Sequence, residues 1–254
     1  MNFVVVYPGR YHPFHKGHKS VYDYLSKKFG ADNVYIATSD VQAPVTSPFT
    51  FGDKVQMMTK LGIPSGHIVK VKNPYIADEI RNDISDPENT VLVFAVSEKD
   101  MSGEKPRFRF GVKKNGEPSY MQPFPSDQKK LEPMTKHAYV ITVPVTTFKV
   151  QGADADSASA IREKYISGNS NDRDTIIADL YGEAYPDLRA IFDHRLSNVE
   201  KTQKFVAEMR RKITTSTGKQ KLKMISLLES VLDLESSVEK TINEDIREDY
   251  LNEK

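Results

Sequence analysis

The 254-residue chain contains no cysteine and no tryptophan. Without thiols it can build neither a disulfide framework nor a thiolate metal site. It also lacks a surplus of charge: 36 basic against 35 acidic residues leave a formal +1. That balance gives no global field for nucleic acid or for a membrane surface. No window approaches the apolar length of a membrane-spanning helix. The opening apolar run, Phe3 to Tyr7, is short and has no basic flank, so no signal peptide is expected and a cytoplasmic protein is the default. Internal repeats and low-complexity tracts are absent too. At this length the chain can bury a sizeable core, as one large domain or as one domain with an appendage.

What is present is a regular alternation. Residues 2–7 form a β-branched run that reads as a fully buried strand, and 17–29 come next with helical spacing up to Gly30. Strands are predicted at 33–38, 67–71, 90–96 and 138–144, and short helices at 52–61, 76–84, 157–166 and 172–182. The stretch 90–96 is the most apolar and is expected at the centre. Residues 145–150 are a candidate continuation of the strand at 138–144. Such alternation argues for a parallel, doubly wound sheet, whose ligands bind past the carboxyl ends of the strands.

Residues 102–136 break the pattern with Gly103, Pro106, Gly111, Gly116, Pro118, Pro123, Pro125 and Pro133. Phe108, Phe110 and Val112 alternate as in a half-exposed strand, and Lys114-Asn115-Gly116-Glu117 is a turn signal, so a β-hairpin insertion followed by an irregular loop is predicted. From Pro186 the composition becomes charged and helical. Leu188, Phe192, Val199, Val206, Met209 and Ile213 keep helical spacing, then Met224, Leu227, Val231, Leu234 and Val238 take up an a/d-like pattern. A helical hairpin over about 187–250 is expected. Packing on its own subunit is favoured over a coiled coil, with a homo-oligomer through these helices as the alternative.

The chemistry concentrates in Gly9-Arg10-Tyr11-His12-Pro13-Phe14-His15-Lys16-Gly17-His18, between the first strand and the first helix. Strand, tight turn and helix is the geometry that places a ligand at a helix N-terminus. His15 and His18, three residues apart, can face one phosphate, and Gly17 between them lets backbone approach it. Further on, Phe49-Thr50 with Asp53 reads equally well as a hydrophobic staple and a near capping box.

The Gly9–His18 run resembles the His-x-Gly-His signature of the nucleotidylyltransferase superfamily, and its wording is closest to the archaeal-type nicotinamide mononucleotide adenylyltransferases. Ser47-Pro48-Phe49-Thr50-Phe51-Gly52-Asp53-Lys54 is similar to that family's Asn-Pro-Phe-Thr-x-Gly-Glu-Arg. Asp156-Ser157-Ala158-Ser159-Ala160-Ile161-Arg162 resembles the superfamily's second signature, Ile-Ser-Ser-Thr-x-Ile-Arg. The three matches fall in family order within about residues 1–185. The resemblance implies a Rossmann-like α/β fold with a nucleotidylyltransferase domain at 1–185 and a C-terminal helical extension at 186–254. It implies transfer of AMP from ATP to nicotinamide mononucleotide, releasing pyrophosphate. His15, His18 and Arg162 would be catalytic. Tyr7, Pro8, Gly9, Arg10, Tyr11, Gly17, Ser157 and Ser159 would bind the nucleotide, with Arg10 on the outer phosphates or on the acceptor phosphate, and His12, Phe49, Thr50 and Ser97 the acceptor. Mg2+ is implied by the triphosphate, and without a carboxylate cluster it would ride on phosphates and waters. The family's acceptor end usually carries a tryptophan and a Ser-Gly-Asn-Pro stretch. Here the strand end reads Val96-Ser97-Glu98-Lys99-Asp100-Met101, so a base would stack on Phe or Tyr instead. Two rivals remain: a cytidylyltransferase acting on a small phosphorylated alcohol, and a non-catalytic nucleotide-binding or assembly module.

Overall fold

The computed structural model describes residues 1–102, 106–113, 115–144, 146–155 and 157–251, the side chains of 237–251 excepted. Gly103, Lys114, Val145 and Asp156, and the side chain of Val238, lie outside the described residues.

Among the described residues the strands and α-helices run in this order: β1 (Asn2–Pro8), α1 (Lys16–Phe29), β2 (Val34–Thr38), α2 (Phe51–Lys60), β3 (Ile68–Lys70), α3 (Asp78–Arg81), β4 (Thr90–Ser97), α4 (Glu98–Met101), β5 (Met121–Pro123), β6 (Ala138–Val143), β7 (Lys149–Val150), β8 (Ala153–Asp154), α5 (Ala158–Ser167), α6 (Ser170–Tyr181), α7 (Pro186–Thr215) and α8 (Gly218–Leu251). Six of these strands make one parallel sheet in the order β3-β2-β1-β4-β6-β5. The order reverses between β1 and β4, the two strands with the longest apolar runs. Val4 pairs with Leu92 and Val6 with Phe94 across that junction. Ligands in such sheets bind where the order reverses, because the connections leave in opposite directions and open a crevice there.

Both faces of the sheet are covered, which is why β1 and β4 read as unbroken apolar runs. On one face Val5, Val93, Ala95 and Tyr139 pack with Leu25 and Phe29 of α1, Met57 of α2, and Ile176 and Leu180 of α6. On the other, Val6, Leu92, Phe94 and Val140 pack with Tyr75, Ile80, Phe108 and Met121.

Three expectations need correction. The insertion closes an antiparallel bridge, Val112 to Pro118, around Asn115-Gly116, as a hairpin should. The stretch after the hairpin is not irregular, however, because β5 joins the sheet edge alongside β6. Nor is Phe108 half-exposed: it is fully buried against Phe94, with ring centroids 5.3 Å apart. Residues 149–150 do not extend β6; they turn back on β8 through Gln151-Gly152, both at positive φ.

α7 starts with Pro186 at its first turn and buries Leu188, Phe192, Leu196 and Val199 in the same core as β1 and α1. The expected boundary at 185/186 therefore falls between residues that share one core. α8 folds back on α7 after Ser216. Its Met224 and Val231 are half-buried, whereas Leu227 and Leu234 stay 49% and 56% exposed. Among the described residues, no helix is long and apolar enough to cross a membrane.

Candidate active site

A cavity of about 330 Å3 opens at the carboxyl ends of β1, β4 and β6. Tyr7 and Pro8 line it from the end of β1, Gly9, Arg10 and Tyr11 from the turn that follows, His15, Gly17 and His18 from the start of α1, Ser97 from the end of β4, and Ser157 from the cap of α5. The chain thus brings ten of the expected site residues to one wall. Lys99 and Asp100, from the strand end already noted, line it as well, and so do Tyr75, Thr146 and Phe148, which the sequence did not single out. A larger opening, about 520 Å3, lies on the other sheet face beside Phe108, Phe110 and Thr142, and contains none of the motif residues.

The two histidines form a reciprocal cap. Gly17 N–H donates to His15 Nδ1 at 3.2 Å, and His15 N–H donates to His18 Nδ1 at 3.3 Å. With both Nδ1 atoms accepting, each neutral ring carries its proton on Nε2. The rings stack at 3.8 Å, with Phe148 beside His15 and Tyr11 and Phe14 around His18. Burial pushes the His18 pKa down to about 3, and burial with the neighbouring charges of His18 and Lys16 holds His15 well below its ordinary range. The pair is therefore a set of neutral N–H donors at pH 7. The Gly17 N–H is taken by His15 Nδ1, while Gly17 itself lines the cavity.

Close packing explains both glycines. A Cβ on Gly17 would stand 3.1 Å from the His15 ring and from the Phe148 ring. On Gly9 it would meet the Tyr11 ring at 2.5 Å. Tyr11 itself sits at φ +52°, folding its ring beneath Gly9 so that its hydroxyl donates to Tyr7 O at 3.0 Å.

Five expected residues stand off the cavity wall. His12 is buried: its Nδ1 accepts the Phe49 N–H at 3.3 Å, and its Nε2 has no hydrogen-bond partner among the described residues. Burial, then the charges of Lys54, Arg162 and Arg10, hold its pKa well below normal. Phe49 packs on Phe192 in the core, and Thr50 caps α2 in a full capping box with Asp53. Ser159 is exposed and shares a hydrogen bond with Ser157, whose hydroxyl also accepts the Ala160 N–H as the α5 cap. Arg162 is buried and donates from Nη1 to the His12 carbonyl at 2.7 Å.

Lys54 went unselected in the sequence although it closes the second motif. It is wholly buried, and its Nζ donates to Ser39 O at 2.8 Å and Thr38 Oγ1 at 3.3 Å. Thr38 in turn donates to Arg10 O at 3.4 Å. Burial lowers the Lys54 pKa to about 7 against the opposing pull of Asp40. Its position opposite the family's arginine was the available signal.

A parallel sheet with a crevice at its order reversal, and a paired-histidine turn at the head of a helix in that crevice, are the geometry of a phosphate-binding site. The chain belongs to the cytidylyltransferase-like family, whose sequence profile matches residues 6–164. It is similar to the nicotinamide-nucleotide adenylyltransferase of Methanocorpusculum labreanum, 38% identical over 55 residues, which cover 22% of this chain and 33% of that protein. The enzyme of the same description from Saccharolobus solfataricus is 36% identical over 53 residues, covering 21% and 31%. These matches span about a third of the length of the curated relatives. Among solved structures, the bifunctional NMN adenylyltransferase/ADP ribose pyrophosphatase of Francisella tularensis, complexed with AMP and a manganese ion, aligns with a TM-score of 0.48 and 16% identity, over 86% of this chain and 58% of its own.

Proposed function

We propose that this protein is a nucleotidyltransferase that transfers AMP from ATP to nicotinamide mononucleotide, giving NAD and pyrophosphate. The observation that carries the reading is the stacked, neutral His15–His18 pair at the mouth of the β1–β4 crevice. In-line displacement at the α-phosphorus needs position and charge stabilisation and no protein nucleophile. The acceptor phosphate oxygen attacks, and the pyrophosphate leaves with the electron pair of the broken P–O bond. The Nε2–H groups of His15 and His18 donate to the phosphate oxygens as charge builds, assisted by the positive end of α1. Ser157, on the same wall, reaches the outer phosphates. Phe148, beside His15, faces the nucleotide. Tyr75, with Ser97 and Asp100 across the cavity, takes the acceptor base, the stacking role for which the chain has no tryptophan. Arg10 binds the acceptor phosphate. Arg162 braces the turn through Nη1 on the His12 carbonyl, one of its five N–H donors.

The wall suits phosphate better than a bare cation. Asp100, its one carboxylate among the described lining residues, already accepts from the Ser97 hydroxyl at 2.6 Å. Mg2+ would arrive on the triphosphate, held by phosphate oxygens and water, and would neutralise their charge. Curated relatives described as nicotinamide-nucleotide adenylyltransferases support the choice of acceptor.

The test is pyrophosphate release with Mg2+, crossing ATP and CTP against nicotinamide mononucleotide, glycerol phosphate and phosphopantetheine. Turnover is expected with ATP and nicotinamide mononucleotide, and His18→Ala should lower it about a hundred- to a thousand-fold, as loss of one preorganised donor does. Turnover confined to a CTP pair would replace both substrates. No release from any pair, with ATP still bound, would favour a binding or assembly module.

A further inference from the structure

The segment between β2 and α2 is held from outside by both C-terminal helices. From α7, Arg195 Nε donates to Asp53 Oδ2 at 2.7 Å, and its Nη2 reaches Asp53 Oδ1 and Thr50 Oγ1, each at 3.4 Å. From α8, Glu235 accepts three hydrogen bonds: the Val45 N–H at 2.5 Å, the Thr46 N–H at 3.1 Å and the Thr46 hydroxyl at 2.6 Å. These donors sit in a tight loop closed by the Ala43–Ser47 bridge. A carboxylate accepting from two amides and a hydroxyl is a strong, charge-assisted latch. Removing it leaves those donors without their acceptor.

The held segment is the one that supports the motif turn. Phe49, two residues past the bridge, donates its N–H to His12, and Lys54, on the first turn of α2, holds Thr38 against the Arg10 carbonyl. Glu235 also places a negative charge within electrostatic reach of Arg162, among the cations Arg10, Lys54 and Arg162. The His15–His18 half of the turn receives none of these contacts. Both clamp residues lie beyond residue 164, where the family match ends.

We propose that Arg195 and Glu235 are positioning residues: the C-terminal helices clamp the 43–54 segment and thereby set the Arg10–His12 half of the turn for the phosphorylated acceptor. This rests on the acceptor role given to Arg10 above. A side chain displaced by about 1 Å at a substrate-positioning site costs up to about a hundred-fold in rate, so small relaxations register in kinetics.

The full-length chain carries the test, with Arg195→Ala and Glu235→Ala as variants and Glu229→Ala, exposed on α8, as control. With ATP and nicotinamide mononucleotide, both variants should raise the KM for the mononucleotide about ten-fold, while kcat and the KM for ATP stay within about two-fold. Hydrogen exchange should accelerate in residues 43–54 and stay unchanged in β1 and β4. Kinetic constants equal to those of the control would overturn the proposal. So would a joint fall in kcat and rise in both KM values tracking lost global stability. Should the unmodified chain fail to turn over nicotinamide mononucleotide, the acceptor reading falls and exchange alone decides. Faster exchange in 43–54 in both variants then supports the clamp, and unchanged exchange sinks it.

Discussion

The turn between β1 and α1 has two halves held by different means. The second half, His15 to His18, holds itself: His15 caps the Gly17 N–H, His18 caps the His15 N–H, and the rings stack. The first half, Arg10 to Phe14, is held by residues far away in the chain. Lys54 works through Thr38 on the Arg10 carbonyl, Phe49 binds the His12 ring, Arg162 binds the His12 carbonyl, and Tyr181 binds the Phe14 carbonyl. In the proposed reaction the self-held half offers fixed donors for a charge that develops in one place. The other half depends on how the rest of the fold is packed, so its geometry can be tuned without touching the histidines.

Phe192 offers the hardest way to break that contrast. It lies under Phe49, Tyr165 and Tyr181, with centroids at 5.0, 5.2 and 6.1 Å, and so supports two of the distant contacts at once. Phe192→Ala should destabilise the chain by about 3–5 kcal/mol, the usual cost of emptying a buried aromatic site. Urea unfolding followed by circular dichroism measures it. A loss below about 1 kcal/mol would mean that α7 merely lies on the core.

The contrast also governs what could be read from the sequence. β1 and β4 were legible because unbroken β-branched runs have few other uses. The histidine pair was legible because its support is local and its spacing shows. Tail helix α7 was legible as a helix packed on its own subunit, but not where it packs: its period reveals one apolar face without saying which core covers it. β5 was invisible, since Met121-Gln122-Pro123 has no alternation and a proline suits only an edge strand. Phe108 was misread for the opposite reason, as the alternation present there cannot distinguish a half-exposed strand from a plug. Lys54, Arg195 and Glu235 resemble surface charges in sequence. Only the fold shows that one is buried and that the other two hold its segment.

Tyr181 tests one distant contact alone. Its buried hydroxyl donates to the Phe14 carbonyl at 2.8 Å, and burial keeps the phenol protonated at every working pH. Tyr181→Phe keeps the ring and orphans the carbonyl, so a loss of about 1–3 kcal/mol is expected. The same urea experiment should show it, and ATP affinity reads whether the His15–His18 half follows, since the Phe14 carbonyl shares its peptide group with the His15 N–H that donates to His18 Nδ1. A weakened ATP affinity would show the two halves to be coupled.

The smallest effect separates the halves by titration. His12 belongs to the distant half, His15 and His18 to the local one, and burial holds all three below the ordinary value of 6.5. When a histidine's folded pKa is depressed, the unfolded chain binds the extra proton first. Its contribution to stability is complete above pH 6.5 and is lost as pH falls from there toward the folded value. Each such group contributes a slope of at most about 1.4 kcal/mol per pH unit. Lys54, with a folded pKa of about 7, is charged in both states below about pH 6 and adds no slope there. Between pH 5 and 6, then, stability should fall steeply with acid for the unmodified chain. His12→Asn leaves an oxygen acceptor for the Phe49 N–H and removes one titrating group, so it should lower the slope by about a third if the three groups contribute equally. An unchanged slope would mean that His12 is solvated in both states, and that the distant half of the turn is looser than its hydrogen bonds imply.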